Sequence, residues 1–81
     1  MRLPRDLSGA DVARALAALG YAETRQAGSH MRLTTPEHGE HPITIPRHES
    51  LRIATVAAIL EEVADHFGLS REALVDRLFA R

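Results

Sequence analysis

A histidine and an arginine lie two residues apart in the run GSHMRL, residues 28–33. Met31 and Leu33 alternate with His30 and Arg32, which is the period of a β-strand with one buried face. If Met31 and Leu33 face the core, the other two side chains share the open face. Imidazole exchanges protons near neutral pH, and a neighbouring guanidinium stabilises negative charge. The run is therefore a candidate for acid–base chemistry on an anionic substrate.

Cleavage of RNA is one reaction that these side chains could catalyse. It needs neither a metal nor a covalent enzyme intermediate, because the 2′-hydroxyl can attack the adjacent phosphorus once its proton is removed and the departing 5′-oxygen is protonated. His30 suits either proton transfer, Arg32 could stabilise the phosphate charge, and Ser29 could supply a hydroxyl or a backbone donor. The alternative is that His30 is an ordinary solvated residue, which is the commoner situation for a strand histidine beside an arginine.

The length and composition indicate a small globular protein. The chain has 81 residues, of which 44% are hydrophobic, and it contains no cysteine. A chain of this size buries about 60% of its unfolded surface, so we expect one domain over residues 1–81. The lack of cysteine excludes a disulfide framework, a thiolate nucleophile and a cysteine zinc site. The start, MRLPRDLSGAD, has no apolar segment of signal-peptide length and no run is long enough to cross a membrane, so we expect a cytoplasmic location.

The charge pattern gives mixed evidence about nucleic acid. The chain has ten arginines, no lysine and eleven acidic residues, which gives a net charge of −1. This balance argues against a strong nonspecific nucleic-acid binder, and the few aromatic residues argue against a stacking platform for single strands. However, every fixed positive charge is a planar guanidinium that can hold a phosphate through two hydrogen bonds. A GC-rich genome also favours arginine codons, which explains the same bias without a function.

The first half of the chain predicts a helix followed by three strands. Ser8 and Asp11 form a capping-box pattern, and apolar spacing predicts a helix over residues 9–19 that ends at Gly20. Strands are predicted over residues 21–27, from residue 30 onwards, and in HPITIP, residues 41–46. The prolines that flank the last of these favour an edge strand, because proline cannot donate to a ladder.

The second half predicts two helices. Apolar residues recur at helical spacing from Val56 to Phe67, and Gly68 ends that run. Ser70 is placed to cap a short last helix, with Leu69 and Leu74 spaced as a hydrophobic staple. The order α-β-β-β-α-α predicts an α+β fold in which helices cover one face of a three-stranded antiparallel sheet and leave the other face open.

Two segments, GYAETRQAGSHMRL and ITIPRHESL, resemble the HicA family of type II toxin–antitoxin systems. The resemblance covers about residues 8–60, and its Arg-Gln-x-Gly-Ser-His element is fairly specific in so short a protein. The matching residues are Gly20, Tyr21, Arg25, Gln26, Gly28, Ser29, His30, Ile43, Thr44, Ile45, Pro46 and His48.

The resemblance implies a fold similar to a double-stranded-RNA-binding domain and the activity of an mRNA interferase, an endoribonuclease that cleaves mRNA. The histidine of the family's Gly-Ser-His is taken as catalytic, a role that falls here on His30. A HicB-type antitoxin is expected to cover its face, and no cofactor is expected. The residues predicted to bind substrate are Arg25, Ser29, Arg32, Arg47 and His48. Two alternatives remain, which are a noncatalytic RNA-binding or protein-interaction domain of the same fold and a folded but inactive toxin.

Two segments depart from the family pattern. Ala54-Thr55-Val56 stands where the family often has Gly-Thr-Leu, so a close backbone approach that glycine would permit is in doubt there. The helix that contains Glu61, Glu62 and Asp65 is about four residues longer than expected, which is close to one helical turn and keeps its apolar face in phase. These acidic residues are predicted to form a solvated face, with a partner-binding surface as the alternative.

The remaining histidines suggest structural roles. His38, His41 and His48 lack cysteine or a well-spaced acidic residue beside them, so we expect no metal site. His66 lies near a predicted helix C-terminus, where its charge would interact favourably with the helix dipole.

Overall fold

The computed structural model describes residues 6–79, which contain three strands and three α-helices. In chain order they are α1 (Gly9–Leu16), β1 (Ala22–Ala27), β2 (His30–Thr35), β3 (His41–Pro46), α2 (Ile53–Phe67) and α3 (Arg71–Phe79). A 3-10 turn, Ala17–Leu19, extends α1. The predicted α+β class and double-stranded-RNA-binding-domain-like architecture are confirmed. The single domain over residues 1–81 stays a prediction, and residues 1–5 and 80–81, including the start of the segment judged to lack a signal peptide, lie outside the described part.

The amino terminus of α1 is fixed by the predicted capping box. The Ser8 hydroxyl accepts a hydrogen bond from the Asp11 amide, and the Asp11 carboxylate accepts one from the Ser8 amide, each at 3.0 Å. The hydrogen bond from the Ser8 amide, followed by the interaction with the Ser8 side chain, lowers the pKa of Asp11. Because Asp11 has a lower pKa in the folded protein than in the unfolded one, this cap stabilises the fold above the unfolded pKa. Its contribution is lost as pH falls through the folded pKa.

The sheet is antiparallel with β2 in the centre, and the helices cover only two of its strands. Met31 and Leu33 on β2 are buried as predicted, together with Ile43 and Ile45 on β3, whereas every residue of β1 is exposed. Tyr21, predicted to begin the first strand, lies just before it and is buried among the core residues. The helices contribute the rest of this core, chiefly Val12, Leu16, Val56, Ile59, Leu60, Val63, Leu74 and Val75.

The free side of β3 offers few backbone donors. The Arg47 amide donates to the Ser29 carbonyl oxygen at 2.6 Å, and alternate residues of an antiparallel strand direct their amides at the partner strand. Counting back along β3 from Arg47, every second residue directs its amide towards β2. The three residues between them direct their backbone groups away from β2. Two of the three are prolines, so only Thr44 has an N–H on the outer edge. The prediction of an edge strand is confirmed. The outward residues are Pro42, Thr44 and Pro46.

A polar cluster closes the end of the sheet where β3 begins. The Tyr21 hydroxyl and Nδ1 of His41 share a hydrogen bond of 2.6 Å, and Nε2 of His41 lies 3.3 Å from the Glu62 carboxylate. The His66 ring stacks on His41, with 4.4 Å between centroids, in the last turn of α2 where the sequence placed it. Burial, helped by the charge of Glu62, raises the pKa of Tyr21 to about 12.

The titration of Tyr21 gives a direct test of this packing. Tyr21 is the only tyrosine and the chain has no tryptophan, so phenolate absorbance reports on this residue alone. We expect a midpoint near pH 12 in the folded protein and near the ordinary value of about 10 in urea. Because folding raises the pKa of Tyr21, its neutral phenol contributes fully to the stability of the fold below the unfolded pKa. This contribution is lost as pH rises towards 12. A folded-state midpoint equal to that in urea would contradict the buried phenol.

Candidate active site

A tight turn places His30 at the start of β2. Gly28 has a φ of 59°, a left-handed conformation that glycine adopts without strain, and Gly28 and Ser29 form the turn between β1 and β2. The Arg47 amide holds the Ser29 carbonyl from the neighbouring strand. His30 is exposed, on the sheet face opposite to Met31, as the alternation predicted.

Side chains from all three strands surround His30 on the open face. Arg25 pairs with Arg32 across the ladder, and Arg32 pairs with Thr44 on its other side. Nη1 of Arg32 donates to the Thr44 hydroxyl at 3.5 Å. These residues, with His30 and Ala27, line a depression of about 510 Å³. One imidazole and two guanidinium groups therefore share one concave surface.

The two arginines of this depression are unfavourably placed without an anion. Like charges directly opposite each other on neighbouring strands destabilise a sheet. Within residues 6–79, neither Arg25 nor Arg32 forms an ion pair with a carboxylate. A phosphate between the two guanidinium groups would relieve the repulsion and accept bidentate hydrogen bonds.

A bulge in β1 removes a carboxylate from this face. The register shifts between Glu23 and Arg25, so Glu23 pairs with buried Leu33 and turns to the helix side of the sheet. There its carboxylate lies 3.3 Å from Nη2 of Arg47. The strand residues on the open face consequently include two arginines and no acidic residue, although the net charge of the chain is −1.

A family model described as "HicA toxin of bacterial toxin-antitoxin" matches residues 9–64. The chain belongs to the HicA toxin family. It is thus the toxin of a toxin–antitoxin system, and the family implies an antitoxin as its partner. The match spans α1, all three strands and most of α2, including the Gly-Ser-His run. No curated protein and no solved structure matches the chain significantly.

The other predicted substrate-binding residues lie outside the depression of this HicA chain. Arg47 extends on the helix side, where Nη2 donates to the Gln26 side-chain oxygen at 2.7 Å and to Glu23 at 3.3 Å. His48 is exposed in the loop after β3, and its carbonyl accepts a bond from the Gly9 amide at 2.9 Å. Ser29 lies in the turn beside His30. The structure thus brings together His30, Arg25 and Arg32.

Gly9 packs closely against the end of β3 that lies beside His30. A β-carbon on Gly9 would overlap the carbonyl oxygen of Pro46, which is the residue that pairs with His30 across the ladder. The first turn of α1 is therefore in direct contact with the end of β3 that borders the histidine. Sequence reasoning placed Gly9 at the start of a helix and did not foresee this contact.

Thr44 is a second feature of this HicA site that sequence reasoning missed. The available signal was its position between Ile43 and Ile45, which places it on the face opposite to theirs, and so on the face of His30. Its contact with Arg32 depends on the register between β2 and β3, which the sequence does not specify.

None of the other histidines of the HicA chain lines the depression around His30. The His38 ring packs against Phe67, with 5.1 Å between centroids, and His41 contacts Tyr21, whereas His48 lies at the other end of β3. Among residues 6–79, no group of three or more histidine, aspartate or glutamate residues is arranged to hold a metal ion. In the same part of the chain, no helix has the length and apolar character needed to cross a membrane.

Proposed function

We propose that this HicA toxin is a metal-independent endoribonuclease that cleaves mRNA in the cytoplasm, uses His30 as its general acid and base, and is neutralised by a HicB-type antitoxin. The observation that carries the proposal is the depression itself, in which His30 lies beside two opposed arginines on a strand face without carboxylates. Family membership supports the toxin role, and the side chains supply what cleavage of a phosphodiester requires.

The proposed reaction begins with removal of the proton from a 2′-hydroxyl by the imidazole of His30. The 2′-oxygen then forms a bond to the adjacent phosphorus, and the bond from phosphorus to the 5′-oxygen breaks. The His30 imidazolium, or a water molecule, gives a proton to the departing 5′-oxygen. The products are a 2′,3′-cyclic phosphate on one fragment and a 5′-hydroxyl on the other, so the substrate itself supplies the nucleophile.

Arg25 and Arg32 have the proposed role of binding the scissile phosphate. Negative charge increases on the nonbridging oxygens as the 2′-oxygen approaches, and guanidinium donors already in place stabilise that charge most strongly in the transition state. Thr44 helps to orient Arg32. Ser29, Arg47 and His48 complete the proposed binding surface outside the depression, where Arg47 also binds Glu23.

Cleavage of a labelled mRNA by the purified chain in EDTA tests this function. Cleavage with the metal chelated, leaving cyclic-phosphate and 5′-hydroxyl ends, is the expected result. An enzyme that produced 5′-phosphate ends, or that needed an added divalent ion, would contradict the reaction proposed here. The antitoxin should suppress the activity when it is added in equal amount.

A noncatalytic RNA-binding domain is the second candidate, because the opposed arginines would bind phosphate whether or not His30 reacts. For that function, the parent chain cleaves no RNA, mutation of His30 leaves its biological effect intact, and mutation of the arginines weakens RNA binding. For the nuclease, mutation of His30 is expected to abolish RNA cleavage and to leave RNA binding in place. An inactive toxin would fail to cleave in every form, while its antitoxin would still bind.

Substitution of Arg32 tests the phosphate contact separately from the chemistry. Arg32→Gln should weaken RNA binding several-fold and reduce the slope of log affinity against log salt concentration by about 0.7–0.9, since one phosphate contact is lost. Arg71→Gln, an equal change of charge at an exposed position of α3, is the matched control. Fluorescence anisotropy with labelled RNA at several salt concentrations measures both quantities. Equal slopes for the two variants would argue against a phosphate at Arg32.

A further inference from the structure

A second depression begins at His30 and runs between β3 and α2. It has a volume of about 490 Å³, and His30 and Thr44 line both it and the catalytic depression. Pro46 and Ile59 contribute apolar walls, and Ala54 and Ala58 on α2 keep the groove open because their side chains are small. Glu62 lies further along α2. We call this feature the β3–α2 groove.

The charge of the β3–α2 groove is opposite to that of the catalytic depression. None of the described residues that line it is an arginine. Glu62, whose side chain is 57% exposed and also contacts His41, supplies a carboxylate. Exposed Glu61 and Asp65 extend the acidic surface on the same side of α2, since residues three and four apart are neighbours on a helix. This surface repels an RNA backbone and attracts a cationic protein segment.

The outer edge of β3 favours an occupant that docks through its side chains. The prolines of β3 leave Thr44 as the only N–H donor on the edge beside the groove, so an added strand would gain few backbone bonds.

From these features we propose that the β3–α2 groove is the docking surface for a basic, apolar segment of the antitoxin. An apolar side chain of that segment packs between Pro46 and Ala58, and a lysine or arginine binds Glu62 and Asp65. The same segment ends over His30 and blocks the reaction. This inference rests on the toxin–antitoxin assignment, and it gives the two departures from the family pattern, Ala54 and the acidic extra turn of α2, a shared role in partner recognition.

The test measures binding of the purified antitoxin encoded beside this toxin, by calorimetry, in a His30→Asn background that suppresses toxicity. Ala58→Arg fills the groove, and Asp65→Lys reverses one charge of the acidic surface beside it. Neither position takes part in a side-chain hydrogen bond or ion pair among those found in the described residues. The matched controls on α3 are Ala73→Arg and Asp76→Lys, both at exposed positions. We expect at least tenfold weaker binding for both groove variants and less than twofold change for both controls.

The dependence on salt separates the two contributions to docking. The effect of Asp65→Lys should shrink as salt is raised, because charge attraction between exposed groups is screened, whereas the steric effect of Ala58→Arg should persist. Thermal melts of all four variants confirm that the fold is kept.

Three results would overturn the docking proposal. One is unchanged antitoxin affinity in both groove variants, and another is no antitoxin binding by the parent chain. The third is unchanged antitoxin affinity together with weaker RNA cleavage when Ala58→Arg is placed in the chain with His30 intact, which would make the groove an RNA subsite. Since calorimetry involves no RNA, a chain that binds antitoxin as expected but cleaves nothing would contradict the nuclease proposal and leave the docking proposal supported.

Discussion

Replacement of His30 by asparagine is expected to reduce RNA cleavage by at least about 100-fold, because a positioned proton donor or acceptor contributes roughly 10²–10⁴-fold to a rate. Asparagine keeps a polar side chain of similar size but cannot accept a proton near neutral pH. RNA binding should change little, since the proposed phosphate contacts of Arg25 and Arg32 remain. Single-turnover cleavage gives the rate. An RNA without the 2′-hydroxyl beside the scissile phosphate gives the affinity, because it cannot be cleaved.

His38→Asn is the matched control for this experiment. His38 lies in the turn between β2 and β3, at the other end of the sheet, and its φ of 56° is a conformation that asparagine tolerates. The control should cleave RNA at close to the parent rate. If His30→Asn retained the parent rate, or if it lost binding and cleavage together, His30 would not have the acid–base role proposed here.

Gly9→Ala is expected to destabilise the fold by about 2–3 kcal/mol, the cost of overpacking where the neighbouring atoms cannot move freely. The added methyl group would overlap the carbonyl oxygen of Pro46, which is a backbone atom within the end of β3. For a domain of this length, such a change lowers the melting temperature by roughly 8–24 °C. Because Pro46 pairs with His30, the protein that remains folded should also lose activity.

Gly28→Ala provides the comparison, because it tests backbone strain without overlap. Gly28 has a φ of 59°, and no atom lies within 4 Å of the position that a β-carbon would take. Its substitution should cost only about 1 kcal/mol. Urea denaturation of both variants gives the two free energies of unfolding. Equal losses would mean that the contact between Gly9 and Pro46 does not limit the packing of α1 on β3.

Local signals in the sequence were sufficient to predict most of the architecture. Ser8, Asp11 and Gly20 predicted the limits of the first helix, and alternation around Met31 predicted which face of β2 carries His30. These signals worked because capping, the period of a strand and the left-handed preference of glycine all depend on residues that are close in the chain. The same signals predicted the end of α2 at Gly68.

The electrostatics of the site depend on contacts that local signals do not contain. The sequence suggested Arg25 as a substrate residue, but its position opposite Arg32 follows from the strand register, and the loss of Glu23 from that face follows from the bulge. The partner of Glu23 is Arg47, which is 24 residues away in the chain. The near-neutral net charge was therefore a poor guide to the charge around His30.

The prolines on the outer edge of β3 bear on how an antitoxin can distinguish one toxin of this fold from another. Backbone pairing between strands is almost independent of sequence, so an antitoxin that used such pairing would bind every toxin of this fold. Pro42 and Pro46 leave that edge with one N–H donor, at Thr44, which makes such promiscuous pairing weak. Side chains must then provide the affinity, and side chains can diverge between duplicated gene pairs. For the docking proposed above, two residues without an amide hydrogen therefore favour an antitoxin that recognises this toxin by its side chains.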